Sequence, residues 1–570
     1  MNIKKRWIAL LFTLIFTLTG CEKFSIPTNA NTAFRNFTFH LFQQEVASNT
    51  INLHYSLQEP EKYGITNPSI TLGSFDVNTH SALASIENWS AALQKFPYQS
   101  LSKENQLTYD ILAQYFSTCT QDIKYYLYEE PLSPLTGIHA QLPVLLAEYQ
   151  FTQKSDVETY LALLETVPDY FSSLIRFEQQ KAASQLFMSS DAAETVIQQC
   201  NDFLSMGDNN YLLSTFEERI ASVPHISEKE KTKYMKQNQT ALETYVLPSY
   251  QNLATALSSL NQNATPAQGL CNFPEGKEYY SHLVLRETGS SRSVSALKTL
   301  IDSQIAKDLL AAQQLLEENA SIAEETLSTT ETPEHILKTL EGKITTAFPD
   351  AATVNVQVKY VPDALQEHLS PAFYLIPAID HYQENTIYIN QLYSFNDLDL
   401  FTTLAHEGYP GHLYQTTYFS STNPDPIRSI ISCIGYVEGW ATYAEMCSYS
   451  ISSLPKPYAA LLQKNSSLLL GLYASADIGI HYDGWQLEDT ISFFESYGIQ
   501  DEVVVTEIFH YITSDPANYL TYYVGYLEML ELKQEAMQKQ GSSFSSKSFH
   551  QKVLEIGPAP FDIIRKYLYQ

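Results

Sequence analysis

Two histidines six residues apart, with a helix breaker between them, constrain this chain more than any other feature. The segment is Leu404-Ala405-His406-Glu407-Gly408-Tyr409-Pro410-Gly411-His412. On an unbroken helix, residues six apart point roughly 240° apart and lie about 9 Å apart along the axis. Two such imidazoles could not meet. Pro410 has no N–H for the carbonyl of His406, four residues back, and its ring crowds that carbonyl. Gly408 and Gly411 permit unusual backbone angles. The chain can therefore break between the two histidines and bring both rings to one side.

The helix leading into the break is well marked. Asn396 suits an N-cap, and Asp397 and Asp399 fall in the first turn, where carboxylates favour the helix dipole. Leu398, Phe401, Leu404 and Ala405 form its apolar face. A plain core helix ending at Pro-Gly, with incidental histidines, would look similar. The chemistry argues for more. Neutral imidazoles are good zinc ligands, and a neighbouring carboxylate can deprotonate a water on the metal. The segment is close to the H-E-x-x-H pattern of zinc peptidases, with two residues added.

A third ligand is expected from Tyr436-Val437-Glu438-Gly439-Trp440-Ala441-Thr442-Tyr443-Ala444-Glu445. This reads as a helix with two carboxylates seven apart, hence on one face. Glu438 sits among apolar residues, where a carboxylate is costly unless paired or bound to metal. It is the expected ligand, and Glu445 the group that orients a histidine. Further on, Asp477 and His481 are four apart, so on a helix the acid could fix the tautomer of the ring. The run Asn518-Tyr519-Leu520-Thr521-Tyr522-Tyr523-Val524-Gly525 is rich in tyrosine, but the chain holds 39 of them. His481 and Tyr522 are the candidate donors to the oxyanion of a tetrahedral intermediate.

Together these segments resemble the large bacterial family catalogued as domain of unknown function 885, regarded as zinc metallopeptidases. The resemblance rests on His406-Glu407-Gly408-Tyr409-Pro410-Gly411-His412, on Glu438-Gly439-Trp440-Ala441 with Tyr443 and Glu445, on Ile480-His481 to Gly484-Trp485, and on Leu520 to Glu528. It extends upstream to Pro134-Leu135-Thr136-Gly137, Leu142 to Tyr149, and Leu369 to Tyr374. It implies a mainly α, two-lobed helical metallopeptidase-like fold around a deep cleft. It also implies zinc on His406, His412 and Glu438, with Glu407 as general base. Asn518 departs from the glutamine expected at its position in many relatives.

The N-terminus indicates a location. Lys4, Lys5 and Arg6 precede an apolar run, Trp7 to Thr17, that is too short to span a bilayer comfortably. Leu18-Thr19-Gly20-Cys21 then resembles a bacterial lipobox. The expected organisation is a lipoprotein signal peptide over 1–20 and a tether over 21–32. An N-terminal helical part follows over 33–270, and a C-terminal helical part with the motifs over 271–570. Lipidation of Cys21 would hold the mature chain on the cell surface or the periplasmic side of a membrane. Five cysteines remain after Cys21, an odd number, and no spacing suggests a cysteine metal site.

The formal charge of −29 becomes −32 without the three cations of the signal. That argues against nucleic acid as a partner. The weak boundary at Asn261 to Gly276 is rich in Asn, Pro, Gly and Thr. Leu297, Leu300, Ile301, Ile305, Leu309 and Leu310 mark an amphipathic helix. Val354, Val356 and Val358 alternate with polar residues, and Ala372 to Ile376 and Thr386 to Asn390 are strand-like. A small antiparallel sheet is expected there, close to the zinc motif, where an edge strand could hold an extended peptide. The reading that fits best is a lipid-anchored, extracytoplasmic zinc metallopeptidase acting on peptides. A lipid-anchored peptide or nutrient binding protein, or a zinc hydrolase of a non-peptide amide or ester, are the alternatives.

Overall fold

The computed structural model describes residues 29–262, 264–319, 331–362, 366 and 369–569. Cys21 and the signal lie outside them, as does most of the expected tether. The described chain is mainly helical, with one small sheet. The first helix, Ala30–Val46, begins inside the stretch expected as tether. Asn29 starts it by accepting hydrogen bonds from the N–H groups of Asn31 and Thr32. No helix among the described residues is long and apolar enough to cross a membrane.

The chain forms two compact units. The first takes the chain up to Pro97, then Phe116–Ala267 and Pro362–His368. Its core is strongly aromatic: Phe34 and Phe37 pack on Phe96, and Phe171 and Phe203 on Tyr250. The second takes Tyr98–Tyr115, Gln268–Val361 and Leu369–Gln570. The chain passes from the first unit to the second at Ala267, within the Asn261 to Gly276 stretch. The exchange of residues 98–115 into the second unit has no counterpart in the sequence reading. Helix Val294–Glu318 buries Leu297, Ile301 and Ile305 as its periodicity suggests, while Leu309 and Leu310 are exposed.

The sheet belongs to the second unit. It comprises β1 (Asn355–Tyr360), β2 (Ala372–Leu375) and β3 (Glu384–Ile389), in the order β1-β3-β2. β2 pairs antiparallel with β3, with Ala372 opposite Ile389. β1 pairs parallel with β3, with Asn355 opposite Glu384. The expected antiparallel sheet is therefore mixed. The chain reverses once between β1 and β2 and again between β2 and β3, which leaves β1 and β3 running the same way.

Helices of this unit after the sheet include α1 (Asp397–Glu407), α2 (His412–Ser421), α3 (Ile434–Ile451), α4 (Lys456–Ile478), α5 (Glu502–Ser514) and α6 (Asn518–Gln540), of which α1, α2, α3 and α6 carry the site. The cap on α1 is as read: the Asn396 side chain accepts from the Asp399 N–H at 2.9 Å. α3 and α6 cross at glycines. A Cβ on Gly439 would lie 2.5 Å from the backbone of Gly525, so only glycine lets the helices approach this closely. Such glycines cost helix propensity, which the close packing offsets.

Candidate metal centre

α1 ends at Glu407 and α2 starts at His412, so the break falls between the two histidines. The turn folds back on itself tightly. A Cβ on Gly411 would sit 1.7 Å from the carbonyl oxygen of His406 and 2.5 Å from that of Ala405. Glycine is therefore required there. The indole N–H of Trp440 on α3 donates to the Pro410 carbonyl at 2.8 Å and ties the turn to the next helix.

The result is a convergence of three donors. The Nε2 atoms of His406 and His412 are 3.2 Å apart. Glu438 Oε2 is 3.6 Å from the first and 3.5 Å from the second. All three residues are buried. Among the described residues this is the group of histidine and carboxylate donors able to hold a metal ion. The spacing fits one: ligands about 2.0–2.1 Å from a tetrahedral zinc lie roughly 3.3 Å from one another. Glu438 Oε2 is also buried with no hydrogen-bond partner of its own, a costly state for a carboxylate oxygen unless something cationic meets it.

The surroundings complete the set. Glu445 Oε2 lies 3.1 Å from His406 Nδ1, about two turns along α3 from Glu438. It can fix the tautomer that leaves Nε2 facing the centre. Burial opposes charge on His406, but the neighbouring Glu438 and Glu445 carboxylates outweigh it and push the ring up to about 10. Burial holds His412 below its ordinary value, with Glu438 pulling the other way. Burial would raise Glu438, yet the two histidines hold it down at about 2. The group is thus an ionised carboxylate, one neutral imidazole, and one imidazole charged by its two acidic neighbours. A bound cation would take the place of that proton.

Glu407 points towards the sheet. The Asn390 N–H donates to the Pro371 carbonyl at 2.8 Å, so alternation turns the backbone of Tyr374 away from β3. The Tyr374 N–H donates to Glu407 Oε2 at 3.2 Å. The backbones of Ala372 and Tyr374 both face outward on the edge strand β2, and the carboxylate takes the second of these outward N–H groups. Sequence reasoning did not find this contact, because a main-chain donor leaves no residue signature. The Tyr522 ring stacks on the His406 ring, with centroids 6.4 Å apart and planes at 28°.

Two sequence candidates are placed differently. His481 accepts the Leu270 N–H at Nδ1 (3.1 Å) and donates from Nε2 to the Ile512 carbonyl (2.8 Å). Both ring nitrogens serve the main chain, so this ring has none for an oxyanion. Burial lowers it to about 4 and keeps it neutral. Asp477 does not orient it. Asp477 Oδ1 accepts instead from Tyr280 Oη at 2.6 Å and from the Ala517 N–H at 3.2 Å. The four-residue spacing assumed a regular α-helix, but Gly479–Asp483 form a π-helical turn that changes the phase. The cysteines after Cys21 are all free thiols.

The fold and site define a mainly helical protein with a buried His-His-Glu donor group. The chain belongs to the family described as bacterial protein of unknown function (DUF885), whose sequence profile matches residues 76–568. No curated protein matches it. Among solved structures, it resembles a "putative lipoprotein" from Colwellia psychrerythraea with a TM-score of 0.83 and 19% identity, over 95% of this chain and 99% of the other. It also resembles a "putative lipoprotein of unknown function" from Shewanella oneidensis with a TM-score of 0.63 and 17% identity, again over 95% and 99%.

Proposed function

We propose that this protein is a zinc-dependent metallopeptidase, anchored by lipid at Cys21 on the outer side of a bacterial membrane. One observation carries the catalytic reading: His406, His412 and Glu438 converge at 3.2 to 3.6 Å, with Glu407 next in sequence to the first of them. A binding protein has no need of that glutamate. Zinc held by the three would polarise a scissile carbonyl and acidify the attacking water. The other roles fall to the chain itself. Glu407 takes the water proton and passes it to the leaving amine, with its carboxylate oriented by the Tyr374 N–H. Tyr522, beside His406, is the candidate donor to the developing oxyanion. The outward edge of β2 offers main-chain groups to an extended peptide, a mode that tolerates many sequences.

Location rests on Leu18-Thr19-Gly20-Cys21, and the two structural neighbours described as lipoproteins agree with it. Metal analysis of the purified mature chain, with digestion of a mixed peptide library read by mass spectrometry, tests the activity. About one zinc per chain and new peptide termini are expected. Full zinc loading with an uncut library would turn the reading to a binding protein or a non-peptide hydrolase. Fatty-acid labelling of wild type but not of Cys21→Ser tests the anchor, and equal labelling would remove it.

A further inference from the structure

Asp477 and His481 hold no ligand position, yet both are fully buried and both bond to the same distant turn. His481 Nε2 donates to the carbonyl of Ile512, near the end of α5. Asp477 Oδ1 accepts from the N–H of Ala517, the residue that precedes α6. These two bonds bracket the turn from α5 to α6. Their other partners, the Leu270 N–H and the Tyr280 hydroxyl, come from a separate stretch of the second unit, so the pair ties the turn to a fixed frame. Tyr280 also stacks on the His481 ring at 5.4 Å.

The turn needs such a tie. Ala517 has φ of 64°, a left-handed conformation that a residue with a Cβ adopts only when its surroundings impose it. It is completely buried. Because α6 begins at the next residue, the conformation of Ala517 sets where each side chain of α6 points. The phase of α6 matters at the metal centre. Tyr522 stacks on His406, and Gly525, three residues on, packs against Gly439 beside the ligand Glu438. A rotation of α6 by one residue, about 100°, would carry Tyr522 off the histidine.

We infer that Asp477 and His481 are positioning residues that dock the α5–α6 turn and thereby hold Tyr522 against the metal centre. The consequence for catalysis rests on the peptidase reading; the structural part does not. The zinc ligands lie on α1, α2 and α3, so zinc binding should survive the loss of the tie.

The test uses the full mature chain, zinc-loaded, with 3-fluorotyrosine at position 522 for 19F NMR. Amide exchange over residues 512–526, zinc affinity and, where peptide is cut, kcat and KM are measured alongside. Asp477→Ala should shift or broaden the 522 resonance and speed exchange over 512–526 at least about tenfold, as expected of local opening. Zinc affinity should stay within about threefold. kcat should fall while KM changes little, because an oxyanion donor acts in the transition state. Asp477→Asn, which keeps an acceptor oxygen, should restore both signals. His481→Phe keeps the ring volume, removes both main-chain bonds, and should reproduce the effect if Asp477→Ala does not fold. An unaltered resonance with unaltered exchange in Asp477→Ala or His481→Phe overturns the inference, as does loss of zinc in step with the shift. If the wild type cuts no peptide, the peptidase reading fails, while the resonance and exchange still decide the positioning role.

Discussion

Replacing Gly411 by alanine should strip the metal centre while adding only one methyl group. The new Cβ would lie 1.7 Å from the His406 carbonyl oxygen and 2.5 Å from that of Ala405. Both are main-chain atoms at the end of α1, so neither can rotate away. Reaching even a 3.0 Å contact requires the turn to open by more than an ångström. Gly411 is bonded to His412, so the opening moves that imidazole relative to His406. The two Nε2 atoms are now 3.2 Å apart, and a metal site tolerates only about 0.2 Å of error in its bonds. His412 would then drop out of the donor set. Protein zinc sites are worth about 10–16 kcal/mol over four ligands, so one ligand is worth about 2.5–4 kcal/mol. That weakens zinc binding by roughly 10²–10³-fold. The assay is competition for zinc against a chromophoric chelator, with circular dichroism to check the fold. Gly411→Ala that binds zinc within threefold of wild type would refute the account of the turn.

Glu445→Ala should cost only about 10–100-fold in zinc affinity, because it orients His406 rather than binding metal. His412→Ala in the same titration should cost more, and the reverse order would show that the roles are misassigned. Gly439→Ala should lower stability by about 1–3 kcal/mol, since its Cβ would lie 2.5 Å from the Gly525 backbone; an unchanged Tm would contradict the close crossing of α3 and α6. His139 is buried, hydrogen-bonded to Gln199, and lowered to about 4 by that burial. Its stabilising contribution is complete above about pH 6.5 and is lost as pH falls towards 4, where the unfolded chain binds a proton that the folded one refuses. Urea titrations across that window should show wild type losing about 3 kcal/mol more than His139→Phe; parallel curves would rule this out.

The donor group was legible in the sequence for a local reason. Glu438 and Glu445 are seven apart on one helix, and Pro410 with Gly411 announces the break that lets His406 and His412 meet. Helical periodicity and backbone chemistry carry that information without knowledge of the fold. The strands were also visible, but their directions were not, because alternation marks a strand and its faces and carries no information on which neighbour it pairs with or which way that neighbour runs. His481 and Asp477 were misplaced for two physical reasons. A π-helical turn altered their phase, and their partners include main-chain groups of Leu270, Ile512 and Ala517 that no residue type marks. The Gly439–Gly525 crossing could have been suspected, since a glycine in each of two helices is a cost that close packing explains.

On the proposed function, Glu407 works as a base beside a zinc ion that it does not bind. Glu407→Gln keeps the size of the side chain and an acceptor for the Tyr374 N–H, and removes the base. The direct measurement is cleavage of the peptide library by wild type and Glu407→Gln, each with its zinc content determined on the same sample. Equal zinc, with turnover reduced at least about a hundredfold in the variant, is the predicted result. Undiminished cleavage by zinc-loaded Glu407→Gln would contradict it.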